Sequence, residues 1–256
     1  MKPSPYCEGI AKSMSFTGQR RIVVITQSNY IPWKGYFDLI RAADELVLYD
    51  EVQFTRRDWR NRNQINTENG KIWLTIPVET SSRFHQKISD TRIADPKWAA
   101  RHWKTLQRNY AHSGYFREYA DDLERLYDCG DEKLLSIINK RFIEAICRWM
   151  SISTTIRWST EFPCTSMDRT GRLVELCKAL EATHYLSGPA AKNYIDVAQF
   201  SEAGIQIVYA DYTGYREYSQ LRGVFDHYVS VLDLLFNTGS NFGMYLKDMA
   251  VHFPAI

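Results

Sequence analysis

Four consecutive side chains that can form hydrogen bonds, Gln27, Ser28, Asn29 and Tyr30, follow an apolar and β-branched run of the chain. That run, residues 22–25 (IVVI), has the composition of a buried strand in a parallel sheet. In open α/β sheets, ligands bind beyond the carboxyl ends of the strands. The pattern therefore predicts a ligand site here, with Gln27, Asn29 and Tyr30 as substrate-binding residues. The alternative is an ordinary connecting loop.

A second polar stretch, residues 50–65, mixes acidic, amide, arginine and aromatic side chains. Arg60 and Arg62 alternate with asparagines, so an extended backbone would place both guanidinium groups on one side. Planar guanidinium groups in that arrangement suit a phosphate or a carboxylate. The alternative is a solvated loop in which these arginines pair with nearby acidic residues. The candidate site residues in this stretch are Asp50, Gln53, Trp59, Arg60 and Arg62.

A turn of small residues, residues 187–192, follows a predicted strand. Gly188 has no side chain, so a ligand can approach the backbone there, and the N–H groups of a following helix can hold an anion. The turn has neither a Walker nor a GxGxxG pattern, and a tight turn packed by alanines is the alternative. Ser187 and Gly188 are the substrate-binding residues that this pattern predicts.

His227, Ser230 and Asp233 are spaced three residues apart near the end of the chain. On a helix, neighbours at this spacing share a face, and a histidine beside an acid or a hydroxyl suits general acid–base chemistry. Two such steps drift around the helix, so we expect His227 to act alone, supported by Ser230 and Asp233. The alternative is a helix cap or a core histidine. His227 and Asp50 are the predicted catalytic residues, and Ser230 is a predicted substrate-binding residue.

The composition excludes two classes of protein. At 45% hydrophobic and 24% charged residues, the 256-residue chain is globular rather than disordered. A net charge of +2 and a pI near 8.2 are too mild to indicate a nucleic-acid partner. The partner that we expect is a small molecule, such as a nucleotide sugar or an acyl or aminoacyl carrier.

The cysteines and histidines indicate a reducing, cytoplasmic compartment and no metal site. The five cysteines form no CxxC pair and are odd in number, and the six histidines form no HxxxH motif. No apolar run approaches the roughly 20 residues that span a bilayer. Residues 1–20 lack the apolar centre of a signal peptide and are expected to be a flexible N-terminal segment.

The predicted elements give an α/β chain with a mainly parallel sheet and a helical insertion. Strands are predicted for residues 22–25, 45–49, 72–78, 87–93, 155–160, 184–186 and 205–209, and Asn69-Gly70 predicts a hairpin. Three consecutive helices are predicted between residues 95 and 149. The expected organisation is a first α/β half (21–94), a helical insertion (95–152) and a second α/β half (153–256) that completes a single domain.

From about residue 21 to 247, the ordered motifs of the chain resemble the WbqC-like protein family. They are Gln27-x-x-Tyr30-x-Pro32-Trp33-x-Gly35-Tyr36, Asp50-Glu51-Val52-Gln53-Phe54, Trp59-Arg60-Asn61-Arg62-Asn63, Tyr185-Leu186-Ser187-Gly188 and His227-x-x-Ser230-x-x-Asp233-Leu234-Leu235-Phe236-Asn237-x-Gly239. Members of that family occur in gene clusters for surface polysaccharides, including O-antigen, and for some secondary metabolites. The resemblance implies a transferase that moves an acyl or aminoacyl group onto an amino-sugar or carrier-linked intermediate.

At the level of the fold, the strand, loop and helix within residues 22–40 are similar to the HUP-type nucleotidyltransferases related to pantothenate synthetase. This similarity implies a Rossmann-like sheet. Those enzymes hold ATP phosphates with a His-x-Gly-His motif, whereas this chain has Trp33-Lys34-Gly35-Tyr36. A nucleotide- or nucleotide-sugar-binding enzyme without these histidines is the first alternative function, and a non-catalytic binding protein of a biosynthetic complex is the second. The cofactor and the oligomeric state stay open.

Overall fold

The computed structural model describes residues 20–221 and 223–249 as a mixed α/β fold. Its strands are β1 (Ile22–Thr26), β2 (Glu45–Leu48), β3 (Arg62–Ile65), β4 (Ile72–Thr75), β5 (Thr155–Trp158), β6 (His184–Ser187) and β7 (Gln206–Tyr209). Its α-helices are α1 (Lys34–Arg41), α2 (Trp98–Tyr110), α3 (Phe116–Tyr127), α4 (Leu135–Trp149), α5 (Arg169–Ala179), α6 (Val197–Glu202) and α7 (Val231–Thr238). The predicted strands at 22–25, 45–49, 155–160, 184–186 and 205–209 are confirmed as β1, β2, β5, β6 and β7, with ends that differ by at most two residues.

Five strands form one parallel sheet in the order β5-β2-β1-β6-β7. The chain begins at the central strand β1, moves outward through β2 to β5, and returns to the other side of β1 with β6 and β7. The direction therefore reverses between β1 and β6, whose first paired residues are Ile22 and His184. Loops leaving two such strands diverge and leave a crevice between them.

Alternate residues of β1 face two different hydrophobic cores. Ile22 and Val24 pack with residues of α1, α2, α3, α4 and α7 on one face of the sheet. Val23 and Ile25 pack with residues of α5 and α6 on the other face. Because both faces are covered, the strand needs apolar residues at consecutive positions, which is the pattern seen in the sequence.

The predicted hairpin is confirmed as an antiparallel pair, in which Arg62 of β3 lies opposite Thr75 of β4. Gly70 in its turn has a φ of +93°, a conformation that favours glycine. The hairpin packs against the segment before α7, since the Ser230 N–H donates to the Gln64 carbonyl over 2.8 Å. The predicted helices between residues 95 and 149 are confirmed as α2, α3 and α4, which share one core with α1 and the sheet.

Two local predictions are wrong. Residues 87–93 form turns with isolated bridges, such as Arg92 to Leu134, rather than a strand. Residues 225–230 are not helical, so no single helix carries the predicted His–Ser–Asp spacing. The helix predicted after the β6 turn is present as a short 3-10 helix, Pro189–Asn193, which is followed by α6. Of the predicted N-terminal segment 1–20, residues 1–19 lie outside the described residues, as do 222 and 250–256.

Candidate functional site

A cavity of about 790 Å³ lies at the carboxyl ends of β1 and β6. Gln27, directly after β1, and Ser187 and Gly188, at the end of β6, form part of its wall. This is the point at which the strand order reverses, where open α/β sheets bind ligands. The volume is typical of a small-molecule site. Five of the predicted site residues line this cavity: Gln27, Gln53, Arg60, Ser187 and Gly188.

Arg60 is held in a fixed position at one side of the cavity. Its Nη2 donates to Oε1 of Gln27 over 2.8 Å, and its Nη1 donates to Oδ1 of Asn29. The carbonyl oxygen of Arg60 accepts a hydrogen bond of 2.8 Å from Asn139 on α4. A guanidinium group has five N–H donors, so three remain after these two side-chain bonds. The predicted association of Asn29 with the site is therefore indirect and runs through Arg60.

Asp58 is the acidic neighbour of Arg60 and also lines the cavity. Its Oδ2 lies 3.8 Å from Nη2 of Arg60 and accepts a hydrogen bond of 2.6 Å from Thr55. Burial raises the pKa of Asp58, but the Thr55 bond and the positive charge of Arg60 outweigh that effect and lower the pKa overall. Asp58 is thus an anion that balances part of the charge of Arg60.

Arg169 and Arg172, on the first turn of α5, line another part of the same cavity. The Nε of Arg172 donates to the Ser166 carbonyl over 2.9 Å. The Tyr49 hydroxyl, followed by the nearby Glu51 carboxylate, raises the pKa of Arg172 above its ordinary value. Sequence reasoning missed both arginines, because they lie in a helix with an ordinary amphipathic pattern.

The other three predicted residues that line the cavity, Ser187, Gly188 and Gln53, differ in their contacts. Ser187 donates to the Tyr185 hydroxyl over 3.3 Å. A Cβ atom at Gly188 would lie 3.8 Å from the Tyr212 hydroxyl, an ordinary contact, so the glycine leaves space rather than relieving a clash. Gln53 is exposed and donates from Nε2 to the Phe84 carbonyl over 2.8 Å.

Tyr30 and Asp50 lie behind the cavity wall rather than in it. Tyr30 is 0% exposed, and its hydroxyl hydrogen-bonds with Tyr127 over 2.6 Å and with Nδ1 of His102 over 2.9 Å. Asp50 is 2% exposed and accepts hydrogen bonds from the N–H and hydroxyl of Ser28, at 2.8 and 2.6 Å, and from the Ser136 hydroxyl. A catalytic role for Asp50 stays a prediction, and its position shows that it holds the loop after β1.

Trp59 and Arg62 contact Trp73 of the hairpin and do not line the cavity. The Arg62 guanidinium lies 3.9 Å from the centre of the Trp73 ring and donates to the Arg57 carbonyl. Trp59 is 43% exposed and its ring centre lies 5.4 Å from that of Trp73. The extended backbone that would place Arg60 and Arg62 on one side does not form, because β3 begins only at Arg62 and the backbone at Arg60 is in a turn.

His227 and Ser230 precede α7 and do not line the cavity. The Ser230 hydroxyl caps α7 by accepting from the Leu232 N–H over 3.3 Å. The His227 ring lies 4.5 Å from Phe225 and 5.9 Å from Tyr215, and its Nδ1 is buried without a hydrogen-bond partner among the described residues. Burial, followed by the positive charge of Lys34, lowers the pKa of His227. A base role for His227 stays a prediction.

The described residues contain four free cysteines and no group of side chains that could hold a metal ion. Within 20–221 and 223–249, no group of three or more His, Cys, Asp or Glu side chains could hold a metal ion. Cys129, Cys147, Cys164 and Cys177 are free thiols, and Cys7 lies outside the described residues. In the described part of the chain, no helix is both long and apolar enough to cross a bilayer.

The comparison with known proteins identifies the family. Residues 27–243 match the WbqC-like protein family, which is most of the chain. The chain belongs to the WbqC-like family. An uncharacterized protein of Mycobacterium tuberculosis (strain ATCC 25618 / H37Rv), Rv1507c, is 47% identical over 225 residues, which cover 88% of this chain and 97% of that relative. No solved structure matches the chain significantly.

The geometry of this WbqC-like protein explains the Pro-Trp-x-Gly part of its first motif. Trp33 lines the cavity, and its ring centre lies 5.0 Å from that of Tyr212, another lining residue. A Cβ atom at Gly35 would lie 2.4 Å from Cζ2 of the Trp33 indole. Only glycine therefore allows the indole to fold back over the start of α1. Trp33 belongs to the first motif but was not among the predicted site residues.

A buried group of charged side chains lies next to this wall of the WbqC-like protein. Lys34 is 2% exposed, and its Nζ lies 4.5 Å from the centre of the Tyr215 ring. Among the described residues, its only hydrogen-bond acceptor is the Arg216 carbonyl at 3.5 Å. Burial lowers the pKa of Lys34 to about 8 and raises that of Asp38, which accepts from the Tyr215 hydroxyl, to about 6.

Proposed function

We propose that this WbqC-like protein is an enzyme that binds an anionic small molecule in the cavity between β1 and β6. The geometry of Arg60 is the observation that carries the proposal. Gln27 and Asn29 use two of its N–H groups, and the others are available to a phosphate or a carboxylate. Because Arg60 is held before the ligand arrives, less conformational entropy is lost on binding.

The reaction that we propose is the transfer of an acyl or aminoacyl group to an amino-sugar or carrier-linked intermediate, in surface-polysaccharide or secondary-metabolite biosynthesis. The family resemblance supports this reaction class. In this proposal Arg60 holds the anionic group of the donor, and Gln53, Ser187 and Gly188 contact the substrate. Free cysteines fit the reducing cytoplasm that we propose as its location.

The alternative enzyme is a nucleotide- or nucleotide-sugar-binding protein with a Rossmann-like, nucleotidyltransferase-like fold. The strand order supports this alternative, because a parallel sheet that reverses direction beside its first strand is the arrangement of doubly wound nucleotide-binding folds. Trp33-Lys34-Gly35-Tyr36 replaces the phosphate-holding histidines in the loop before and at the start of α1. Nucleotide binding would then depend on Arg60 rather than on imidazole groups.

Calorimetric titration of the protein with uridine 5′-diphosphate and with ATP tests the proposal. We expect binding of at least one of them, and we expect Arg60→Gln to weaken it by roughly 10- to 100-fold, because hydrogen bonds to a charged group contribute about 1.5–3 kcal/mol. Arg117→Gln is the matched control, since Arg117 is an exposed arginine on α3 that does not line the cavity. Equal weakening by both substitutions, or no binding of either nucleotide, would contradict the proposal.

Two further measurements separate the three functions. Release of pyrophosphate from ATP in the presence of an acyl acid supports the nucleotidyltransferase-like alternative over direct acyl transfer. Complementation of a deletion strain by Arg60→Ala distinguishes either enzyme from a non-catalytic binding protein of a biosynthetic complex. An enzyme loses nearly all biological activity with that substitution, whereas the non-catalytic protein keeps it.

A further inference from the structure

The α5 end of the cavity contains two arginines that the proposed function does not use. Arg169 and Arg172 are three positions apart on α5, so they are neighbours on its surface, and both line the cavity. The side chain of Arg169 makes no hydrogen bond or ion pair with any residue in the described part of the chain. Arg172 donates from Nε to the Ser166 carbonyl, which fixes the direction of its guanidinium group. This end of the cavity therefore has unused donors.

Arg60 and this arginine pair belong to structures on opposite faces of the sheet. The Asn139 amide on α4 holds the backbone of Arg60, and α4 packs on the face that contains Ile22 and Val24. Helix α5 packs on the face that contains Val23 and Ile25. The two sets of guanidinium groups therefore reach the cavity from the two sides of the sheet edge, and the strand ends lie between them.

The rest of the cavity wall is mostly uncharged, and its arginines outnumber its carboxylates. Gln53, Ser187 and Gly188 are uncharged residues of the same cavity wall, which also contains apolar side chains. Asp58 lies 3.8 Å from Arg60, and Glu51 accepts a hydrogen bond of 2.7 Å from Ser159. Three guanidinium groups thus face two carboxylates among the lining residues. Among the described residues the Arg169 side chain has no acidic partner, so an anionic group of the substrate would be its counterpart.

We propose that Arg169 and Arg172 form a second anion subsite, so that the substrate carries two separated anionic groups, each a phosphate or a carboxylate. Arg60 holds one group, the arginine pair on α5 holds the other, and the uncharged polar residues contact the part of the substrate between them. This inference rests on the proposed function and deepens it by naming the substrate class. Nucleoside bisphosphates and phosphate-bearing carriers belong to this class.

Calorimetry with adenosine 5′-monophosphate and adenosine 3′,5′-bisphosphate tests the subsite, because the second compound adds one phosphate at a distance from the first. We expect the protein to bind the bisphosphate at least tenfold more tightly. The double variant Arg169→Gln/Arg172→Gln is expected to lose that preference and to bind the monophosphate as before. Arg60→Gln is expected to weaken both compounds, and Arg117→Gln to change neither. Thermal unfolding of each variant shows that it is folded.

The outcomes distinguish this inference from the function on which it rests. If monophosphate binding depends on Arg60 but the bisphosphate binds no more tightly, the second subsite is refuted and the proposed function stands. If the α5 double variant keeps the preference for the bisphosphate, the subsite is also refuted. If neither compound responds to Arg60→Gln, or if neither binds, the Arg60 anion site is contradicted and the second subsite fails with it.

Discussion

The guanidinium group of Arg60 donates from Nη2 to Oε1 of Gln27 over 2.8 Å, which joins the loop before β3 to the end of β1. The two residues are far apart in the chain, yet both line the cavity at the reversal point of the sheet. Gln27 therefore acts in this site as a positioning residue. Its amide oxygen determines where the remaining Arg60 donors point.

Gln27→Leu tests this relationship. Loss of one hydrogen bond of about 1 kcal/mol leaves Arg60 free to rotate, so we expect affinity for the nucleotide that binds to fall about fivefold. The effect is expected to be smaller than that of Arg60→Gln, because the charge remains. Gln107→Leu, at an exposed position of α2, is the control and should leave the dissociation constant unchanged. Equal affinity of Gln27→Leu and the unsubstituted protein would show that Arg60 needs no support.

Gly35→Ala tests the contact between the first motif and the cavity wall. The added Cβ would lie 2.4 Å from the Trp33 indole, so the indole must move. Overpacking of this kind costs about 1–3 kcal/mol, which urea unfolding measures as a lower free energy of unfolding. The control is Gly114→Ala, because a Cβ there has no neighbour within 4 Å. Similar stability of the two variants would mean that the indole has room to move.

Asp50→Asn tests whether the second motif is structural. The buried carboxylate accepts hydrogen bonds from the N–H and hydroxyl of Ser28 and from the hydroxyl of Ser136. An amide cannot accept at both positions, so we expect the free energy of unfolding to fall by about 1–3 kcal/mol. The matched control is Asp131→Asn, at an exposed position before α4. If Asp50→Asn is as stable as this control, the carboxylate serves chemistry rather than the fold.

Lys34→Met tests the buried lysine through pH. An ordinary lysine has a pKa of 10.5, and burial lowers that of Lys34 to about 8. Between these values the unfolded chain binds more protons than the folded chain, so Lys34 makes stability rise with pH from about 8 to 10.5. Below pH 8 the full cost of the buried charge is present. We therefore expect Lys34→Met to be more stable at pH 7, by up to about 3 kcal/mol, and the difference to shrink at higher pH.

Urea unfolding at pH 7, 8, 9 and 10 measures this difference. Lys104→Met, on the exposed face of α2, shows the effect of a lysine-to-methionine change without burial. A stability difference that stays constant with pH would mean that the Lys34 ammonium group is not penalised by burial.

The sequence predicts the sheet better than the site, for a physical reason. A strand buried on both faces needs consecutive apolar residues, so β1 and β2 are visible in composition alone. Gly188 was predicted because a glycine turn follows a predicted strand, and Arg60 because arginines alternate with asparagines in a polar stretch. Arg169 was missed because its chemistry depends on which way α5 docks, a long-range property. Tyr30 was assigned to the site because a buried hydroxyl and an exposed one look alike in a sequence.

The errors at the C-terminal end have a similar origin. His227 and Asp233 have helical spacing, but the Ser230 hydroxyl caps α7 and separates them. A serine followed by apolar residues is itself a helix-start pattern, so this boundary was predictable from capping preferences. Residues 87–93 alternate like a strand, yet in the described part of the chain they form only isolated bridges, with Gln53, Val78 and Leu134. Periodicity shows what a segment can form, and the fold decides whether a partner exists.

The strand order of the sheet also determines at what stage of synthesis the cavity can form. Strand β1 is synthesised early, but Ile22 in β1 pairs with His184 in β6, which is synthesised much later. Strand β2 likewise pairs with β5, which begins at Thr155. Such non-local pairing makes folding slow, and the apolar edge of β1 stays uncovered until the second part of the chain arrives. Chains that end before residue 184 therefore lack the binding crevice. They leave one edge of β1 unpaired, and that edge can pair with other chains and cause aggregation.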